Sequence, residues 1–205
     1  MTTLIPAFFL LLASVLVSPA FAQQRQKLVE NSSFDHSQGE LHEWNIDYQW
    51  TGNSHYVENK ERVAIVASEG DRKQVVSFRP STDAGAKMEC IPLVFEEGYR
   101  YRCALDVKGG PYRAYFAGYK WQPGIRPHEA PELGELRLIY KSKANSGSSK
   151  NWKTIKLELP GVELSSRARS HLAHVRYVTL YIWMMKPGFV DNVHIERVED
   201  SSVTF

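Results

Sequence analysis

The sequence lacks the signatures of several large protein classes. After residues 4–17 no apolar run is long enough to cross a membrane, so we expect no membrane span in the mature chain. No Gly-x-Ser-x-Gly elbow, phosphate-binding loop or internal repeat is present. The 25 Lys and Arg residues nearly balance 23 Asp and Glu residues, without a basic stripe or a recognition motif. The balanced charge and the lack of a basic stripe or recognition motif argue against a nucleic-acid partner.

The first 22 residues differ from the rest of the chain. Residues 4–17 are apolar, and Ala20-Phe21-Ala22 forms a small-x-small cleavage pattern, which is typical of a secretory signal peptide. No Lys or Arg precedes the apolar run, so an uncleaved N-terminal anchor is the alternative. No Cys follows the run, which argues against a bacterial lipid anchor. We therefore predict a protein that is secreted, periplasmic or at the cell surface.

Cysteine is scarce, with only Cys90 and Cys103 in 205 residues. They flank a probable turn at Glu96-Glu97-Gly98, and a tight hairpin there would place them on opposite strands. Because an exported protein meets oxidising conditions, this spacing predicts a disulfide between them. The alternative is two buried free thiols.

Short alternating segments dominate the chain. Residues 175–198 predict two strands around a turn at Lys186-Pro187-Gly188. Residues 99–108 and 112–121 predict two more strands, separated by Gly109-Gly110-Pro111, and residues 142–151 predict a flexible linker. About ten short strands, with turn signals every eight to twelve residues or so, indicate an all-β fold, a single jelly-roll β-sandwich. The predicted division is signal peptide 1–22, polar leader 23–27, one domain 28–198 and tail 199–205.

Two of these strands pair an aliphatic face with an aromatic one. In residues 177–184, Val178, Leu180, Ile182 and Met184 alternate with the aromatic side chains, so the aliphatic face predicts the core side. The same alternation in residues 112–121 puts Phe116 inward. The outward side chains are then candidate sugar ligands, namely Arg113, Tyr115, Tyr119, Trp121, Tyr177, Tyr181 and Trp183. The alternative is that the irregular loop 122–134 covers these rings and buries them in a second small core.

Four segments, taken together, resemble a known family. Residues 28–35, LVENSSFD, are followed by Trp44. Glu97-Gly98-Tyr99-Arg100-Tyr101, Trp152 with its strand, and Asp191-Asn192-Val193 follow in that order. In order and spacing these segments resemble the galactose-binding-like jelly rolls, especially the carbohydrate-binding modules of cellulases and xylanases. The resemblance implies a polysaccharide or glycan partner. It also implies a structural Ca²⁺ between the first and last strands, on Asp35 and Asp191 in this sequence.

Two other functions compete with glycan binding. Residues 115–122, YFAGYKWQ, faintly resemble the "YFKAGxYxQ" strand of jelly-roll alginate lyases, but neither the Gln-x-His nor the Arg-x-Glu strand of that family is present in its context. Glycoside hydrolysis needs two carboxylates beside the bond, and the acids Glu96, Glu97, Glu129, Glu132 and Glu135 lie in predicted loops or turns. The chain is therefore expected to be non-catalytic. The same sandwich could instead contact a protein partner, as a cell-surface or assembly component.

Overall fold

The computed structural model describes residues 25–29, 34, 41, 43–46, 49–50, 56–57, 61–81, 83–161 and 164–204. The predicted signal peptide and Asp35 lie outside these residues. Among them, no helix has the length and apolarity needed to cross a membrane.

Antiparallel strands make up most of the described chain. The strands are β1 (Arg25–Lys27), β2 (Trp44–Ile46), β3 (Gln49–Trp50), β4 (Tyr56–Val57), β5 (Val63–Val66), β6 (Val75–Phe78), β7 (Ala86–Cys90), β8 (Leu93–Val94), β9 (Tyr99–Trp121), β10 (Leu136–Lys141), β11 (Asn145–Leu159), β12 (Tyr177–Met184) and β13 (Gly188–Glu199). One α-helix, α1 (Ser166–Leu172), and one 3-10 turn, Leu133–Glu135, complete the described elements. The predicted all-β sandwich is confirmed.

The long strand β9 organises both layers of the sandwich. Its first half pairs with β13 and with the second half of β11, and its second half pairs with β12, β10 and the start of β11. The inward side chains of the two halves, such as Leu105 and Phe116, join one buried core with those of β12. The separate strands predicted at 99–108 and 112–121 are thus one strand. The chain bends at Gly109 and Gly110, which both have positive φ, without leaving the sheet.

The sequence prediction for residues 142–151 is also corrected. The polar segment 142–151, predicted as a flexible linker, lies largely in β11, where Ser146 and Gly147 pair with Arg113 and Tyr112. Its polar side chains are compatible with a strand because the backbone ladder is supplied by β9. The strand β10 follows directly after the 3-10 turn.

The predicted disulfide is wrong, since Cys90 and Cys103 are both free and buried. The turn at Glu96-Glu97-Gly98 does not join two paired strands. Cys90 in β7 pairs with Trp44 of β2, whereas Cys103 in β9 pairs with Leu157 and Ile195. The chain crosses from one layer to the other after β8, which still pairs with β12 as β7 does, so spacing around a turn did not predict strand neighbours.

Candidate functional site

The seven predicted ligand residues lie together on the outward side of β9 and β12. The register of these strands places Tyr119 opposite Tyr177, Tyr115 opposite Tyr181, and Arg113 opposite Trp183. Trp121 extends the row, with its ring centroid 5.6 Å from that of Tyr177 in an edge-on contact. We call this set of Arg113, Tyr115, Tyr119, Trp121, Tyr177, Tyr181 and Trp183 the aromatic face. Its two ends differ in how far they are covered.

One end of the aromatic face is closed. Leu133 and Leu136 form a small apolar cluster with Tyr115 and Tyr119, whose exposed fractions are only 9% and 8%. The ring of His128, in the segment between β9 and β10, lies 5.0 Å from the Trp121 ring. His128 is itself held by a 3.0 Å contact with the Glu135 carboxylate. The alternative of a second small core is therefore correct for this half of the face.

The other end is open and forms a cavity of about 310 Å³, lined by Arg113, Tyr115, Lys141, Ser142, Ala144, Tyr181 and Trp183. The Tyr115 and Tyr181 rings are stacked, with centroids 4.8 Å apart and planes inclined by 26°. The Trp183 indole donates its N–H to the carbonyl oxygen of Ala84 at 2.8 Å. A Cβ at Gly85 would lie 2.5 Å from that indole nitrogen, so Gly85 gives the ring room to pack on the backbone. The rings are thus fixed before any ligand arrives.

A carboxylate that the sequence reasoning missed lies beneath these rings. Glu89 of β7 is fully buried and stands opposite Tyr181 in the register. The Tyr119 hydroxyl donates to Glu89 Oε1 at 2.5 Å, and the Thr179 hydroxyl donates to the same oxygen. Burial and the nearby Glu89 charge raise the pKa of Tyr119 well above its usual value. The alternation of Met88 and Cys90 into the core was the signal that would have placed Glu89 on this side.

The pKa of Tyr115, which lines the open cavity, is also raised. Burial, together with the Glu89 carboxylate, raises the pKa of Tyr115 to about 12, although the Arg113 charge opposes the shift. Tyr115 therefore stays neutral at physiological pH and keeps its hydroxyl proton as a hydrogen-bond donor.

Comparison with known proteins finds likeness of fold only. No protein-family model matches the chain, and no curated protein matches it. Among solved structures, the chain is similar to the CBM22-1 xylan-binding domain of Paenibacillus barcinonensis Xyn10C, at 13% identity and TM-score 0.47, covering 80% of this chain and 90% of that one. It is similar to the family 29 carbohydrate-binding module CBM29_1 from Piromyces equi, at 9% identity and TM-score 0.42, covering 90% and 96%. It is also similar to the family 11 module of Lic26A-Cel5E from Clostridium thermocellum, at 14% identity and TM-score 0.41, covering 87% and 96%.

Asp191, one of the two predicted calcium ligands, lies in a charged network on β13, which pairs with the first half of β9. Its Oδ2 accepts from Arg72 Nη1 at 2.6 Å, and its Oδ1 accepts from the backbone N–H of Asn192 at 2.7 Å. Arg72 Nη2 also donates to Asp106 at 2.8 Å. No group of three or more His, Cys, Asp or Glu side chains able to hold a metal is found within the described ranges. An ion at Asp191 would therefore compete with Arg72, and calcium binding stays a prediction.

A second cavity, of about 480 Å³, lies over β9, β11 and β13 on this layer. It is lined by Arg102, Lys156, Glu158, His194 and Glu196, among others, and of the described lining residues only His194 carries an aromatic ring. Arg102 forms an ion pair with Glu158 at 3.0 Å. This cavity is larger than the open end of the aromatic face but offers no flat apolar surface to a sugar ring.

Proposed function

We propose that the protein is an exported, non-catalytic carbohydrate-binding protein that docks a glycan in the open cavity of the aromatic face. The observation that carries the proposal is the stack of Tyr115 on Tyr181 beside the fixed indole of Trp183, all lining one cavity. Export rests on residues 1–22, and the intact mass of the mature protein, expected to begin at Gln23, tests that part.

The chemistry of this cavity suits a sugar. The C–H faces of a pyranose pack on aromatic rings, while its hydroxyls take hydrogen bonds from polar groups at the rim. Arg113, an exposed residue of the lining, supplies donors at that rim. Because the rings are already held by stacking and by the Trp183 hydrogen bond, binding orders few side chains and loses little entropy.

The cavity is poorly equipped for catalysis. Glycoside hydrolysis uses two carboxylates flanking the bond, and the described residues lining the cavity include no Asp or Glu. Tyr115, with its pKa raised to about 12, is a weak candidate for a general base near neutral pH. These observations support binding without bond cleavage, and incubation with the bound glycan should release no reducing ends.

A glycan-array screen of the mature protein, followed by titration of the best ligand, tests the proposal. Trp183→Ala and Tyr181→Ala should each weaken binding about tenfold or more, as expected for aromatic side chains at the centre of a contact. Trp152→Ala is the matched control, since Trp152 packs on Arg72 and Phe189 outside the cavity. If the two cavity variants bind the glycan as tightly as the wild type, the proposal fails.

A protein-contact function is favoured by a different observation. Val94 and Leu138 are exposed, at 55% and 40%, although both are apolar. Val94 stands opposite Tyr177, Tyr177 opposite Tyr119, and Tyr119 opposite Leu138, so one row crosses four strands at the closed end. Light scattering of the wild type and of a Val94→Asp, Leu138→Asp variant tests self-association through this row. Loss of association with unchanged glycan binding would assign it a protein partner.

A further inference from the structure

The charge around the open cavity has a single sign. Among the described residues that line it, Arg113 and Lys141 are the only charged ones, and both are exposed cations. Neither forms an ion pair with any residue in the described part of the chain. Lys141 instead holds its amine 5.6 Å from the centroid of the Tyr115 ring. In the second cavity, by contrast, the cation Arg102 is paired with Glu158.

Glu89, the carboxylate beneath the aromatic face, does not line this opening. Glu89 has no exposed surface, and two hydroxyl donors, from Tyr119 and Thr179, stabilise its charge on one oxygen. Its carboxylate therefore has hydrogen-bonding partners within the sheet and does not pair with Arg113.

We propose that the glycan bound by this cavity is acidic, with an anionic substituent held between Arg113 and Lys141 while its ring packs on Tyr181 and Trp183. This inference rests on the proposed function. The guanidinium fork of Arg113 matches the two oxygens of a carboxylate, or two oxygens of a sulfate ester, and Lys141 adds a mobile point charge. A neutral sugar would cover part of both cations without giving them a charged acceptor, so it binds less well.

The test compares each acidic oligosaccharide with its neutral twin, which is the same oligosaccharide with the charged groups removed. Oligogalacturonides and oligoglucuronides are titrated beside their carboxyl-reduced forms, and a sulfated galactan oligosaccharide beside its desulfated form. Wild-type protein should bind at least one acidic member about tenfold more tightly than its twin, the gain expected from one charge-assisted hydrogen bond. The carboxyl and sulfate arms distinguish the two sources of charge. Raising the salt concentration should reduce the preference.

Three variants separate this inference from the proposed function. Lys141→Met should lose the preference for the acidic member but keep the weak binding of the neutral twin. Arg113→Met, which also removes a donor to the sugar hydroxyls, should lose the preference and weaken the binding of both twins. Arg137→Met is the matched control for Lys141→Met. Arg137 is an exposed cation of β10, the strand that also holds Lys141, but it is not among the residues that line the cavity. Equal binding of both twins, or an undiminished preference in both cavity variants, overturns the acidic assignment. Loss of binding to every twin in Trp183→Ala would still support the sugar site, whereas no binding of any glycan by wild-type protein overturns both proposals.

Discussion

At the scale of single residues, Glu89 is the least expected feature of the protein. A carboxylate without any exposed surface is costly unless its charge is met by hydrogen bonds. Here the hydroxyls of Tyr119 in β9 and Thr179 in β12 supply them. Sequence alternation gives the side of the sheet on which Glu89 lies, but its burial depends on groups more than 25 residues away, which no local pattern reports.

Tyr119→Phe should lower the free energy of unfolding by about 1–3 kcal/mol, because the buried carboxylate of Glu89 loses a donor that nothing replaces. Urea denaturation measures the change. Tyr140→Phe is the control, since the Tyr140 hydroxyl forms no hydrogen bond with the residues that the structure describes, and it should cost much less. Equal losses in the two variants would mean that the Glu89 contact contributes little.

The thiols of Cys90 and Cys103 give a second prediction at this scale. Burial raises the pKa of both, so neither forms the reactive thiolate at neutral pH. A thiol reagent should label neither cysteine in the folded protein. It should label two per chain after denaturation without a reductant, as expected for free cysteines. A denatured sample that yields thiols only after reduction would contradict the structure.

At the scale of the strands, sequence alternation predicted which side chains face the core but not which strands are neighbours. The inward rows of β9 and β12 were predicted correctly, since Phe116, Leu180 and Ile182 are fully buried. The continuity of β9 was not predicted, because glycine and proline normally end a strand. Gly109 remains inside the sheet because its missing side chain lets β9 approach β13 closely. A Cβ there would lie 2.6 Å from Gly188 Cα.

Gly109→Ala should therefore destabilise the fold by more than Gly98→Ala. Both glycines have similar positive φ, +93° and +81°, so both substitutions carry the left-handed strain of about 1–2 kcal/mol. Only Gly109 adds a backbone clash, since a Cβ at Gly98 meets nothing within 4 Å. Thermal or urea unfolding of the two variants compares them directly. A Gly98→Ala loss as large as that of Gly109→Ala would contradict the close approach of β9 and β13.

At the scale of the whole molecule, one buried core lies between both layers. The layer that contains β12 also carries the aromatic face, which is closed at one end and open at the other. From the sequence, an exposed aromatic face and one buried by loop 122–134 were alternatives for all of its residues together. The outcome depends on Leu133, Leu136 and His128, which pack on the closed end, while Lys141, farther along the chain, borders the open end. Such packing between a loop and a sheet is a tertiary effect that no periodicity contains. The position of these aromatic residues on one side of the sheet was thus predictable, and the difference between the two ends was not.

The predicted calcium ion would join the beginning of the chain to its last strand through Asp35 and Asp191. If folded protein binds the ion and unfolded protein does not, added calcium should raise the melting temperature by mass action, and Asp191→Ala should remove that rise. Because Arg72 donates to the same carboxylate at 2.6 Å, Arg72→Met removes a competitor and should enlarge the rise relative to its own calcium-free melting temperature. Melting curves with calcium and with a chelator measure both effects, and a flat response in the wild type and in Arg72→Met would exclude calcium from this site.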